Sequence, residues 1–387
     1  MVDFAHCSAD FGPFDGRVWL NCSHQGPIPR VAAAAAREAV AMKVAPFRMV
    51  EPGLFQDVPR RLREALARLV NVKADDVILG NSTSYGLTLL ARGYEWKAGD
   101  EVLLVEGDFP AAIFPWLVLE AQGVRVRRLQ PAGAGLTADD LRRELRPETR
   151  VFCTTWVHSF GGHAIDVSSI AAVCRDHGAL FALNASQGLG ARVFDAPASG
   201  VDLVTSCGFK YLCGPYGTGF CWIRPEVRER LRVPKGYWLA NLTADDLAGE
   251  FRAELRDDVG ARAFDVSGTA NFFNFMTWTA SVEYLVAQGI DRIAAWDQQL
   301  VSALVAGLVA QGWTMVSPAE GPTRTTLTVL HGPTPEHMSR AFSALRDRGV
   351  YTSMRRGNIR LSPHLFNTPL EIGAALDALG PVAPAGA

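Results

Sequence analysis

Short apolar runs alternate with helix-patterned stretches through the first two hundred residues, and this alternation limits the fold more than any other feature. Val77-Ile78-Leu79, residues 101–105, 124–126, 151–155, 178–183 and 201–205 read as strands. Residues 31–43, 57–69, 85–91, 111–122 and 138–145 read as helices, by spacing or by composition. In 57–69, for example, Val58, Leu62, Ala65, Leu66 and Leu69 share one helical face. Strands joined by helical crossovers pair in parallel and are covered on both faces. The pattern changes after Arg224. Residues 224–265 are rich in charge and predict a surface wrap, then 272–288 and 290–311 read as helices. A strand at 325–330, a helix at 335–348 and a strand at 359–361 complete a smaller α+β domain. The division expected is 15–265 for a large domain, 1–14 with 266–380 for a small one, and 381–387 for a disordered Pro/Ala-rich tail.

Lys210 ends the strand at 201–205 and enters a loop with Gly214, Pro215, Gly217 and Gly219. A buried lysine is costly unless it stays neutral or is consumed in a covalent imine. Glycines let the backbone approach a bulky group and offer N–H groups to a phosphate. A surface lysine beside a turn fits the same residues, so the segment alone leaves both readings open. Upstream, Asn184-Ala185-Ser186-Gln187-Gly188 closes another strand, where open α/β sheets place polar ligand contacts. Gly80-Asn81-Ser82-Thr83-Ser84 precedes the helix at 85–91, so it is either a phosphate loop aimed by the helix dipole or an ordinary N-cap.

Several further segments stand in a telling order. They are Leu20-Asn21-Cys22-Ser23-His24-Gln25-Gly26-Pro27-Ile28-Pro29, Gly107-Asp108-Phe109-Pro110, Gly268-Thr269-Ala270-Asn271 and Asn358-Ile359-Arg360-Leu361-Ser362-Pro363-His364-Leu365-Phe366-Asn367-Thr368. With the loops above, they make nearly the whole chain resemble the class V aminotransferases, fold-type I enzymes dependent on pyridoxal phosphate (PLP). That family includes cysteine desulfurases, selenocysteine lyases, isopenicillin N epimerases and kynureninases. The resemblance implies an α/β fold: a large domain with a mainly parallel sheet of seven-stranded type, and a smaller α+β C-terminal domain. It implies that Lys210 forms the Schiff base and then acts as general base. Ser82 and Thr83 would hold the phosphate, joined by Thr269 from a second subunit, hence a homodimer with composite sites. Phe109 would stack on the pyridine, Gln187 would bond its phenolic oxygen, and Arg360 would take the substrate carboxylate. Asn21, His24 and Arg48 lie in segments that border the substrate pocket.

Three departures bear on the reaction. Cys207 stands where the family has a serine, so that phosphate contact is weakened or passes to Ser206. Asn184 stands where the family has an aspartate, and an amide supplies no charge to keep a ring nitrogen protonated. A weaker electron sink disfavours transamination and is tolerated by eliminations with a good leaving group. Residues 335–360 contain no cysteine, which disfavours a desulfurase that stores sulfur as a loop persulfide. The expectation is therefore a PLP-dependent lyase, best read as cleaving the C–S bond of a cysteine conjugate by β-elimination. An epimerase or aminotransferase is the alternative, and a PLP-binding protein without catalysis a further one.

Composition bounds the rest. With 38 basic and 40 acidic residues and no basic block, nucleic acid and anionic membranes are poor partners, while the resemblance implies a small amino acid substrate. No run reaches the roughly 18–20 apolar residues of a membrane span, and the N-terminus lacks a signal-peptide pattern, so the cytoplasm is expected. Seven scattered cysteines read as reduced core thiols. His158 and His163 bracket a Gly-Gly turn and are read as structural, with no metal expected.

Overall fold

The structure is a computed structural model that describes the chain except residues 1–3, 52, 234, 235, 244, 247, 248, 252, 257, 269, 270 and 385–387. Seven strands form the main sheet: β1 (Val77–Gly80), β2 (Glu101–Val105), β3 (Arg125–Leu129), β4 (Thr149–Thr155), β5 (Leu180–Asn184), β6 (Leu203–Cys207) and β7 (Gly219–Ile223). Their spatial order is β1-β7-β6-β5-β4-β2-β3. All neighbours are parallel except β7, which runs antiparallel to both β1 and β6. Residues facing the two sides belong to two separate cores: Leu103 and Val105 join one, Val102 and Leu104 the other. This is the period-two consequence of a sheet covered on both faces.

β7 was hidden in the glycine-rich loop after Lys210, because its five residues follow Gly217 and Thr218 with no turn signal between them. The helix read at 111–122 is corrected. It is three short turns, Pro110–Ala112, Phe114–Leu117 and Val118–Gln122, because Pro110 and Pro115 each remove a helical N–H. The surface wrap read at 224–265 is also corrected. Leu231, Leu239, Val259, Ala261 and Phe264 are buried there, and most of them belong to the second core.

A four-stranded antiparallel sheet, in the order Ser353–Arg355, Asn358–Leu361, Thr328–His331, Thr314–Met315, builds the C-terminal part with helices Pro335–Asp347 and Pro369–Leu379. The N-terminal segment packs here, with the Phe11 ring 5.0 Å from that of Phe366. Val18–Trp19 pairs in parallel with Val350–Tyr351. Of the tail expected to be disordered, Pro381 and Val382 sit in a short 3-10 turn whose Val382 carbonyl meets His337 Nε2 at 2.6 Å, and 385–387 lie outside the described residues. Helix Ile290–Ala310 contains Asp291, Arg292 and Asp297, so its apolar residues form no continuous run. It is long and apolar enough to cross a membrane by length and composition. Its Ile293, Leu300, Leu304 and Leu308 are buried in the first core instead.

Candidate active site

The carboxyl ends of β5 and β6 bring the site together, as the topology of a parallel sheet dictates. Lys210 lies three residues beyond β6 and is 8% exposed. Its Nζ is 5.4 Å from the centre of the Phe109 ring and 6.0 Å from that of Phe209. No carboxylate pairs with it among the described residues. Burial holds its pKa below the usual lysine value; Cys207 opposes that shift and the Arg360 charge adds to it. The opening segment crosses directly against this loop: Gly26 N–H donates to the Phe209 carbonyl at 2.8 Å. A Cβ on Gly26 would fall 2.1 Å from the Lys210 carbonyl oxygen, so only glycine fits.

The Gly80–Ser82 turn leads from β1 into helix Thr83–Gly93, with the Ser82 hydroxyl accepting from Tyr85 N–H at 3.3 Å. The first backbone N–H groups of a helix have no intrahelical acceptor, and here the Tyr85 N–H is taken by the cap. Ser82 thus serves as the N-cap, while Thr83 is buried and its Oγ1 lies 2.6 Å from Ser186 Oγ. Cys207 N–H also donates to Ser186 Oγ, at 3.4 Å. Ser206, one residue before, turns its hydroxyl to the Cys207 carbonyl at 3.1 Å. The hydroxyl nearest Thr83 and the Cys207 amide is therefore that of Ser186, a residue the sequence left without a role.

Asn184 ends β5 and is buried; its Oδ1 accepts from Ser186 N–H at 3.1 Å. Gln187 donates from Nε2 to the Ser23 carbonyl at 3.0 Å, and its Oε1 is buried without a partner. Phe109 is held by its neighbour. Asp108 is buried and accepts from Thr154 Oγ1, Thr155 N, Thr155 Oγ1 and Phe109 N at 2.7–3.0 Å. With both oxygens occupied, this carboxylate fixes the loop that carries the Phe109 ring.

Arg360 is 4% exposed and donates to the Ser159 carbonyl at 2.6 Å and to Ser353 Oγ at 3.1 Å. Burial, with Arg355 close by, lowers its pKa to about 10. Asn21 is buried with an unpartnered Oδ1. His24 is exposed, and its pKa is lowered by burial of part of the ring and by the charges of Arg355, Arg360 and Lys210. Arg48 lies apart from this group, bonded to Glu38 on an exposed turn. Thr269 lies outside the described residues. His158 and His163 stack with ring centres 4.9 Å apart, and Gly161 N–H donates to His158 Nδ1 at 2.9 Å.

Behind the Lys210 loop lies a buried polar cluster that the sequence did not announce. Cys213 N–H donates to the Lys210 carbonyl at 2.9 Å. Cys22, Cys213 and His364 place their ligand atoms within 4.8 Å of one another. Both His364 nitrogens are already engaged, Nδ1 with Asp297 at 2.8 Å and Nε2 with the Tyr211 carbonyl at 3.1 Å. No imidazole lone pair is left for a metal ion. Burial alone would lower the His364 pKa, but the Asp297 carboxylate raises it to about 10.

Comparison with known proteins follows this geometry. The profile of the class V aminotransferases matches residues 52–359. A probable cysteine desulfurase of Methanothermobacter thermautotrophicus is 29% identical over 244 residues, 62% of this chain and 59% of that protein. The match thus spans under two thirds of that relative's length. An uncharacterized aminotransferase of Bacillus subtilis, YcbU, is 25% identical over 317 residues, 82% of each protein. Among solved structures, the cystine C-S lyase C-DES in complex with its product cysteine persulfide superposes with a TM-score of 0.85 at 22% identity, covering 95% of this chain and 98% of that one. The apo cysteine desulfurase of Thermococcus onnurineus gives a TM-score of 0.83 at 17% identity, covering 98% and 97%. At these identities the likeness establishes the shared fold.

Proposed function

The chain belongs to the class V aminotransferase family, and we propose that it is a PLP-dependent lyase that splits the C–S bond of a cysteine conjugate by β-elimination. The observation that carries this reading is Lys210: a buried amine with no acid partner, held at a strand end beside a helix N-terminus and an aromatic ring. The residues present fit PLP. The free N–H groups at the start of helix Thr83–Gly93, with Thr83 Oγ1, suit a phosphate. Gln187 and Asn21 each offer a buried oxygen without a partner. When bound, PLP supplies an aldehyde that condenses with amines and a ring that withdraws electrons from the bonds at Cα.

The protein's own residues do the rest. Lys210 Nζ, kept from its usual protonation by burial, takes the Cα proton. Arg360 is held by its Nε bond to Ser353 and its Nη1 bond to Ser159, so the guanidinium plane is fixed and its remaining N–H groups anchor the α-carboxylate. Phe109, clamped through Asp108 and stacked on Phe160, forms one face of the site. Asn184 gives an amide where a carboxylate would strengthen the electron sink, which favours expulsion of a thiol over amino transfer. The hairpin at 353–361 carries no cysteine to accept sulfur, so the thiol or persulfide leaves freely.

We place the enzyme in a reducing, cytoplasmic compartment, which seven free and buried cysteines support. The working form is a homodimer. Incubating the purified protein with cysteine S-conjugates should release pyruvate, ammonia and thiol, and borohydride followed by peptide mapping should fix the cofactor on Lys210. Label on a different lysine, or keto acid formed without ammonia, would overturn the assignment.

A further inference from the structure

The hairpin that carries Arg360 also carries Arg355 and Arg356 at its tip, where Arg356 holds a left-handed φ of 50°. The Arg356 guanidinium lies 3.8 Å above the Phe160 ring and donates to the Gly107 carbonyl at 3.2 Å. Phe160 in turn stacks on Phe109 with ring centres 6.3 Å apart. A continuous wall therefore runs from Lys210 along two aromatic rings to a cation. Among the described residues Arg355 donates only to the carbonyl of its neighbour Met354, and its charge bears on both His24 and Arg360.

Among the described residues, none of Lys210, Arg355, Arg356 and Arg360 forms an ion pair with a carboxylate. The acid beside Phe109, Asp108, spends both oxygens on Thr154, Thr155 and Phe109 N–H. Like charges gathered without compensation repel one another and focus a positive potential on the mouth. One α-carboxylate on Arg360 would neutralise a single member of this group.

Building on the lyase reading above, we propose that the substrate carries a second anion: an amino acid whose side chain ends, past an apolar spacer lying along Phe109 and Phe160, in a carboxylate or similar acidic group bound by Arg355 and Arg356 with His24. The spacer follows from the two rings, and the acidic end from the unpaired guanidinium groups, which suit planar oxyanions. Arg356 is pre-positioned by its ring contact, so little side-chain freedom is lost when the anion arrives.

The test is calorimetric titration of the holoenzyme, at constant ionic strength, with unreactive linear dicarboxylates (glutarate, adipate) and monocarboxylates of matching length. The dicarboxylates should bind about tenfold or more tightly than the monocarboxylates. Arg355→Gln combined with Arg356→Gln should erase that preference while monocarboxylate binding stays, and Arg360→Ala should weaken both series. Equal binding of both series to the wild-type protein, or a preference that survives the double substitution, overturns the inference. A preference that holds while no cysteine conjugate yields pyruvate leaves this acid-binding site standing and removes the lyase reading instead.

Discussion

Arg360 and Asn184 are the residues on which recognition and reaction type turn, and each makes a separate prediction. Arg360 is buried, unpaired and already oriented by Ser159 and Ser353. Replacing it with alanine should cost about 2–4 kcal/mol of substrate binding, roughly 30–1000-fold in affinity, because a charged two-point contact in a shielded site is lost. Ligands without an α-carboxylate should bind as before; an amino acid that keeps its wild-type KM would remove Arg360 from the anchor role. Asn184→Asp is nearly isosteric and adds one charge at the end of β5. It should alter the cofactor's visible spectrum and raise the share of substrate nitrogen retained on the protein instead of freed as ammonia. An unchanged spectrum and product ratio would mean that residue 184 does not govern the electron sink. The places of Lys210 just past β6 and of Asn184 at the end of β5 were legible because both follow apolar, strand-like runs. Ser186 was not, because its contact with Thr83 joins residues 103 positions apart and leaves no local pattern.

At the scale of elements, β7 and the buried polar cluster set the site's rigidity. Gly219 of β7 pairs with Gly80, and a Cβ there would fall 2.6 Å from the Ser82 backbone nitrogen. Gly219→Ala should therefore displace the turn before helix Thr83–Gly93, at about 1–3 kcal/mol. Titrating cofactor-free protein with PLP should show a loss of about 5–150-fold in affinity; unchanged affinity would show that the turn adapts. The cluster behind Lys210 predicts a pH signature. His364 has a folded pKa of about 10, above its unfolded value, so its stabilisation is complete below about pH 6.5 and lost as pH rises through 10. The Cys213 thiol is lowered to about 6 by its Cys22 and His364 contacts, so its contribution is complete above about pH 9 and lost as pH falls through 6. The two oppose each other in the middle range. Wild-type stability to urea should be nearly level from about pH 6.5 to 9 and fall beyond, whereas Cys213→Ala should decline throughout. Equal slopes in both proteins would exclude this charge pair. Most strands and long helices were readable from periodicity, since one or both faces are buried. The stretch 111–122 was not, because an apolar run preceded by Pro110 and interrupted by Pro115 keeps helical spacing while losing the hydrogen bonds that make a helix.

For the whole molecule, the layered α/β plan followed from the order of strands and helices, but the surface it leaves open did not. Val40, Val44, Phe47 and Val50 are all at least half exposed at the end of helix Arg30–Val44 and the turn after it, and Phe273 is 48% exposed. Phe273 helps to line a cavity of about 690 Å³ together with Ala39, Lys43, Met49 and Phe55, and with Gly80 and Asn81 of the Gly80–Ser82 turn. None of the Lys210 group lines this cavity, whose wall mixes apolar side chains with the charged Lys43, Arg60, Arg63 and Asp265. These exposed apolar side chains suit a subunit interface. In the proposed homodimer, adjacency to the Gly80–Ser82 turn would tie assembly to cofactor binding. Sedimentation should find the wild-type protein as a dimer, while Val44→Asp with Phe47→Asp should give a folded monomer that binds PLP at least about tenfold more weakly. A monomer with undiminished cofactor affinity would break the link between this face and the site, because each subunit would then hold the phosphate with its own residues alone.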